Sequence, residues 1–320
     1  MKVVVIGVGG VTWQDLLDAD MPALDRLIEK GAAANLSVRL SNWPGEAYAA
    51  LSAGQRAIAD PSSGWAFNAD EVVEHGPASD LFRRRSGEDP SGEVLVVSVE
   101  ELRRANENRG LGAAAGLLGE RLAAAGRRTA VVGNADFTRL PLPQVLPSAT
   151  RGSLWSSPDA GIHREAALAA MRRDGTVPLG EVGRRLLRDD PAAPFGITTS
   201  ASALMEAFRR VAASSDFIVV ETGDTARADA YSLRLPAERR RSIRLEALGR
   251  ADRQIEALVG AVDSSKTLLV VLAPTTPGGA NQRGQLRPVV LKGPGLPHGL
   301  LTSGSTRRRG LISVPDLTVT

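Results

Sequence analysis

Cysteine is missing from all 320 residues, which excludes disulfides, thiolate catalysis and cysteine metal sites together but leaves the compartment open. Histidine is nearly missing: His75, His163 and His298 are the whole supply. Aromatic residues make up 4%, so the arginine triplets at 83–85, 239–241 and 307–309 lack the interleaved rings on which nucleic-acid bases stack. They read as solvated surface, and no nucleic-acid partner is expected. Nor does one charge dominate, because 39 basic residues face 36 acidic ones for a net +3. No apolar run reaches the ~18 residues of a membrane-spanning helix, and no signal-peptide core precedes the first strand. The chain itself reads as soluble.

What is present is an ordinary globular composition, 43% apolar, enough for a single large domain over 1–320. Val3-Val4-Val5-Ile6 is an unbroken β-branched run, the pattern of a strand buried on both faces. Apolar runs at 217–220 and 268–272 predict neighbouring central strands, and further strands are expected at 36–40, 94–97, 129–132 and 287–291. Helical spacing fills the intervals. One helix should start at Asp20-Met21-Pro22 and stop at Gly31, and others should cover 47–51, 111–125, 166–171, 182–187 and 201–212. A long helix carries Leu245, Leu248, Ile255, Leu258 and Val262. Residues 60–92, rich in Pro, Ser, Gly, Asp and Arg, predict an excursion over the surface, and 136–160 is loop-like. Strands alternating with helices predict the α/β class, a three-layer α/β/α sandwich around a mostly parallel central sheet.

Ligands of such sheets bind at the carboxyl ends of the strands, and there the first strand runs into Gly7-Val8-Gly9-Gly10. A dinucleotide fingerprint is one reading of these glycines. It fails because Thr12 stands where the last glycine belongs and no helix is expected before Pro22. Three blocks, in this order, resemble the alkaline phosphatase superfamily instead. The first is Val3 to Gly10 with Met21-Pro22-Ala23-Leu24-Asp25-Arg26-Leu27; the second is Ser41-Asn42-Trp43-Pro44 through Leu51-Ser52-Ala53-Gly54; the third is the apolar run ending in Leu272-Ala273-Pro274-Thr275-Thr276. The resemblance implies a nucleophile in the second block and divalent-metal ligands in the others. It also marks what has been lost. Gly9 occupies the place of a metal-binding aspartate, Pro274 and Thr275 replace an aspartate and a histidine, and Asn42, or Ser41 beside it, holds the nucleophile's position. Asp224 remains where the family has another ligand, followed by Arg227 and no histidine.

A two-metal phosphatase needs several carboxylates and imidazoles around its cations, and this chain cannot supply them. The expectation is a degenerate member with no catalytic residue, no metal and no cofactor. Its candidate ligand contacts are Gly9, Ser41, Asn42, Asp224, Arg227, Pro274 and Thr275, joined by His298 in a proline-rich loop placed near the ligand-binding edge. His75 and His163 read as exposed loop residues. Two enzymatic alternatives are a hydrolase or transferase using Asp224 for a single metal, and a soluble α/β enzyme of unrelated type. The segments Gly293-Pro294-Gly295-Leu296-Pro297 and Thr302-Ser303-Gly304-Ser305-Thr306-Arg307-Arg308 are further similar to actinobacterial-type membrane proteins. That likeness implies the extracytoplasmic face of a membrane, association through segments outside this sequence, and ends trimmed before a closing helix. The expected partner is a small polar ligand or the membrane portion of the protein.

Overall fold

The computed structural model describes residues 1–38, 44–59, 61–73, 75–138, 161–232, 235–278 and 286–318. Its centre is a sheet whose strands run, from one edge to the other, Gly299–Leu300, Ala32–Ser37, Arg287–Lys292, Thr267–Leu272, Lys2–Gly7, Phe217–Glu221, Thr129–Gly133 and Leu179–Glu181. Leu311–Ser313 pairs with Ala32–Ser37 beyond this path. Val3 lies opposite both Phe217 and Leu268 in parallel register, so the three most apolar runs are the adjacent middle strands. Arg287–Lys292 alone runs against its two neighbours.

Alternation along these strands divides the core into two layers. Val5, Val131, Val219 and Val270 face one side, packing on the Pro44–Ala53 and Ala167–Ala170 helices. Val4, Ile6, Val132, Val220 and Val271 face the other, packing on Pro22–Lys30, Ala201–Ala212 and the long helix Ala237–Gly260. Helices therefore cover both faces of a mostly parallel sheet. The entry of Pro22–Lys30 has no cap of its own; Asp252, on the long helix, accepts from Ala23 N at 3.1 Å and Leu24 N at 2.9 Å. Orphan amide donors and a buried carboxylate satisfy one another across the layer.

Several expectations are corrected. A six-residue helix, Trp13–Asp18, follows the first turn well before Pro22, started by a capping box between Thr12 and Asp15. The strand expected at 36–40 begins earlier, as Ala32–Ser37, which is flanked by Arg287–Lys292 on one side and by Gly299–Leu300 and Leu311–Ser313 on the other; residues 39 and 40 lie outside the described residues. The 111–125 helix begins only at Leu117, after Gly116 takes a left-handed φ of 86°. Only Arg184–Leu186 of 182–187 is helical, a single 3-10 turn between the strands Leu179–Glu181 and Leu187–Asp189. The excursion at 60–92 is no surface loop. It contains the helix Ala78–Ser86 and the strand Ala66–Asn68, which forms a small antiparallel sheet with Val94–Val96 and Thr176–Val177. Trp65, Phe67 and Phe82 are buried there within the first core layer. Its strands are too short to show a period, and burial by the neighbouring layer replaces what length would have supplied.

Candidate functional site

The carboxyl ends of Lys2–Gly7, Phe217–Glu221 and Thr267–Leu272 bring Gly9, Asp224 and Thr275 to one edge, as the order of the sequence blocks requires. Among the described residues the space beside them is filled. A Cβ on Gly9 would lie 3.4 Å from the Ala226 Cβ and 3.5 Å from Thr275 Oγ1. Gly10 N donates to Thr275 Oγ1 at 2.7 Å. Arg244 reaches over from the long helix, donating to the Gly10 carbonyl and to both oxygens of Asp15. Burial opposes the charge of Asp15, but Arg244 and Thr12 outweigh it and hold this carboxyl below its ordinary range.

Asp224 opens the Asp224–Ser232 helix, which packs against the first turn, and only 1% of its surface is exposed. Its Oδ1 accepts from Thr199 N at 3.0 Å and from Arg227 Nη2 at 2.8 Å, while Oδ2 accepts from Arg250 Nε at 3.2 Å. Arg227, equally buried, donates from Nη1 to the carbonyls of Asn134 at 3.0 Å and Asp136 at 3.2 Å, and from Nη2 also to Thr199 Oγ1. The Pro274 carbonyl accepts from Arg287, whose guanidinium burial pushes down to about 10. The described residues of this edge offer few donors to a divalent pair. Gly9 offers no side-chain donor atom, Ala226 fills the room beside it, and both oxygens of Asp224 are engaged by guanidinium groups. Among the described residues, no three His, Asp or Glu side chains are placed to hold a metal ion.

His298 is a correction. Because Arg287–Lys292 runs antiparallel, Lys292 lies opposite Leu269 near the start of its neighbour, and Gly299 pairs with Ala32. His298 is thus exposed at the amino edge of the sheet, opposite the candidate site. Ser41 and Asn42 lie outside the described residues.

The sequence reading missed a buried polar cluster at the carboxyl edge. His163 is not an exposed loop residue: its side chain is 14% exposed, and its Nδ1 lies 3.0 Å from Glu165 Oε1. Burial opposes the imidazolium, but Glu165 and Asp136 outweigh it and raise the histidine above its ordinary value. On the neighbouring strand end, Tyr48 donates to Glu221. Burial pushes Glu221 up to about 7, and burial with the facing carboxylate drives the Tyr48 phenol well up. A side chain on Gly7 would collide with the Tyr48 hydroxyl, and one on Gly64 would lie 2.8 Å from Glu165 Oε1, so two glycines make room for the cluster. Arg164 is fully buried between Asp136 Oδ2 at 2.8 Å and Glu71 Oε2 at 2.6 Å. One signal was legible: His163-Arg164-Glu165 directly precedes the apolar stretch 166–171, an abrupt charge beside a core segment.

No protein-family model and no curated protein matches the sequence. Solved structures match its fold. A Pyrococcus horikoshii protein is 14% identical with a TM-score of 0.51, covering 99% of this chain and 94% of that one. The lipoteichoic acid synthase LtaP from Listeria monocytogenes is 11% identical with a TM-score of 0.51, over 99% and 70%. A protein in the alkaline phosphatase superfamily from Vibrio parahaemolyticus is 10% identical with a TM-score of 0.52, over 99% and 64%, so this chain spans under two thirds of it. The chain has the alkaline-phosphatase-like α/β fold. Fold alone does not assign chemistry.

Proposed function

We propose that this is a catalytically silent alkaline-phosphatase-like domain, a pseudoenzyme that serves as a binding or structural module. The observation that carries this reading is the closed edge: Ala226 packs on Gly9 while Arg227 and Arg250 engage both oxygens of Asp224. Metal-assisted phosphoryl or sulfuryl transfer needs a Lewis acid and an activated nucleophile, and the described residues supply the donors for neither. The single-metal alternative would have to strip two guanidinium partners from a carboxylate that is 1% exposed.

The sequence likeness to actinobacterial-type membrane proteins supports a place on the extracytoplasmic face, with the membrane portion or a small polar ligand as partner. No helix among the described residues is long and apolar enough to cross a membrane. The deciding experiment combines elemental analysis after dialysis with phosphomonoesterase, phosphodiesterase and sulfatase assays in added zinc, manganese or magnesium. Background activity and no stoichiometric metal are expected. One metal per chain with turnover abolished by Asp224→Ala would overturn the proposal.

A further inference from the structure

We infer that Arg227 is a built-in cation: its guanidinium fills an oxygen-lined cage on the carboxyl edge that would otherwise suit a hard divalent ion, and it ties that edge together as a bound ion would. The cage consists of the Asn134 and Asp136 carbonyls, the Thr199 hydroxyl and Asp224 Oδ1, all accepting from Nη1 or Nη2. Two carbonyls, a hydroxyl and a carboxylate are the donor types that hard cations take. They come from three separate segments, the exits of Thr129–Gly133, Ile197–Thr199 and Phe217–Glu221. A single side chain therefore bonds all three segments at once, reinforcing the direct bonds from Thr199 N to Asp224 Oδ1 at 3.0 Å and from Thr199 Oγ1 to the Thr222 carbonyl at 2.8 Å.

The backbone is arranged to admit it. Gly223 has a φ of 76°, and a Cβ there would collide with the Asn134 carbonyl and lie 2.9 Å from Arg227 Nη2. Arg250, 18% exposed, bonds the outer oxygen Oδ2, so Asp224 sits between two fixed cations. A guanidinium suits this task because it is weakly hydrated, permanently charged and planar, with several donors in fixed directions. Acceptors already in place meet both Nη groups and offset much of its desolvation, although the buried Nε has no hydrogen-bond partner, whereas an uncompensated buried carboxylate would be strongly destabilising.

This inference rests on the reading of the domain as one without a metal centre, and its test is separate. Thermal unfolding of the full chain is measured after dialysis against a chelator, then with calcium or manganese added. The wild type is expected to melt unchanged in all conditions. Arg227→Ala should melt lower by about 5 °C or more and regain part of the loss with calcium or manganese, which the emptied oxygens can hold. Arg227→Met, which refills the cage without charge, should fall and show no response to either ion. Arg227→Lys, the variant to use if Arg227→Ala does not fold, should melt above Arg227→Met because it keeps the charge. An Arg227→Ala protein that melts like the wild type, one that no divalent ion restores, or an Arg227→Lys no better than Arg227→Met would overturn the inference. Failure of the pseudoenzyme reading would be seen in the wild type instead, as bound metal with turnover.

Discussion

Ala226 faces Gly9 across the closed edge, its Cβ 3.4 Å from the point where a Gly9 side chain would begin. That distance is ordinary contact for one methyl group and leaves nothing beyond it. Gly9→Ala should therefore be close to neutral. Gly9→Asp, which restores the superfamily's ligand type, should destabilise by about 1–3 kcal/mol through overpacking and should bind no metal. Urea unfolding of both variants with elemental analysis checks this. A Gly9→Asp protein that is as stable as the wild type and holds a metal would show that the edge can reopen.

Asp224→Ala should be among the most destabilising single changes at this edge. It leaves Arg227 buried without its carboxylate, and breaking such a pair from one side costs about 3–5 kcal/mol. Equilibrium urea unfolding measures the loss. A change below about 1 kcal/mol would mean that solvent reaches the guanidinium despite its burial.

Glu221 gives a pH dependence with a definite sign. Its carboxyl is held at about 7 against an ordinary 4.5, so the folded state keeps a proton that the unfolded chain has released. Its contribution is fully present below the unfolded value and is lost as pH rises through the folded one, a loss on the order of 3 kcal/mol. Glu221→Gln, which cannot titrate, should flatten this fall. Denaturant midpoints measured across the same range decide it, and an unchanged slope in the variant would assign the dependence to another group.

His163 can be followed directly because only His75 and His298 share its resonances, and both are exposed. Glu165 raises His163, so its stabilising contact is present below the ordinary histidine value and lost as pH rises through the folded one. Imidazole nitrogen spectra over a pH titration should show the His163 resonance titrating above the ordinary histidine value. Glu165→Gln should bring that resonance down.

Phe82 tests the reassignment of 60–92. It is fully buried in the first core layer, so Phe82→Ala should cost about 3–5 kcal/mol in urea unfolding. A surface excursion would lose less than about 0.5 kcal/mol.

Central strands were legible in the sequence because a strand buried on both faces must be apolar at every position, and Val3–Ile6, Phe217–Val220 and Leu268–Leu272 satisfy that locally. The departures at Gly9, Pro274 and Thr275 from the family's ligand types were equally legible, since none of the three carries a carboxylate or an imidazole. Short elements were not: Ala66–Asn68 and Val94–Val96 are three residues each, and their pairing is set by what covers them. The site was decided by tertiary structure alone. Asp224 and Arg227 stand three apart on one helix, but Arg250 and the carbonyls of Asn134 and Asp136 reach them from distant segments. His298 moved to the opposite edge because one strand, Arg287–Lys292, reversed direction. Composition and local pattern determine which residues must be buried; strand direction and the meeting of remote segments determine which polar groups are buried together, and therefore which of them remain available for chemistry.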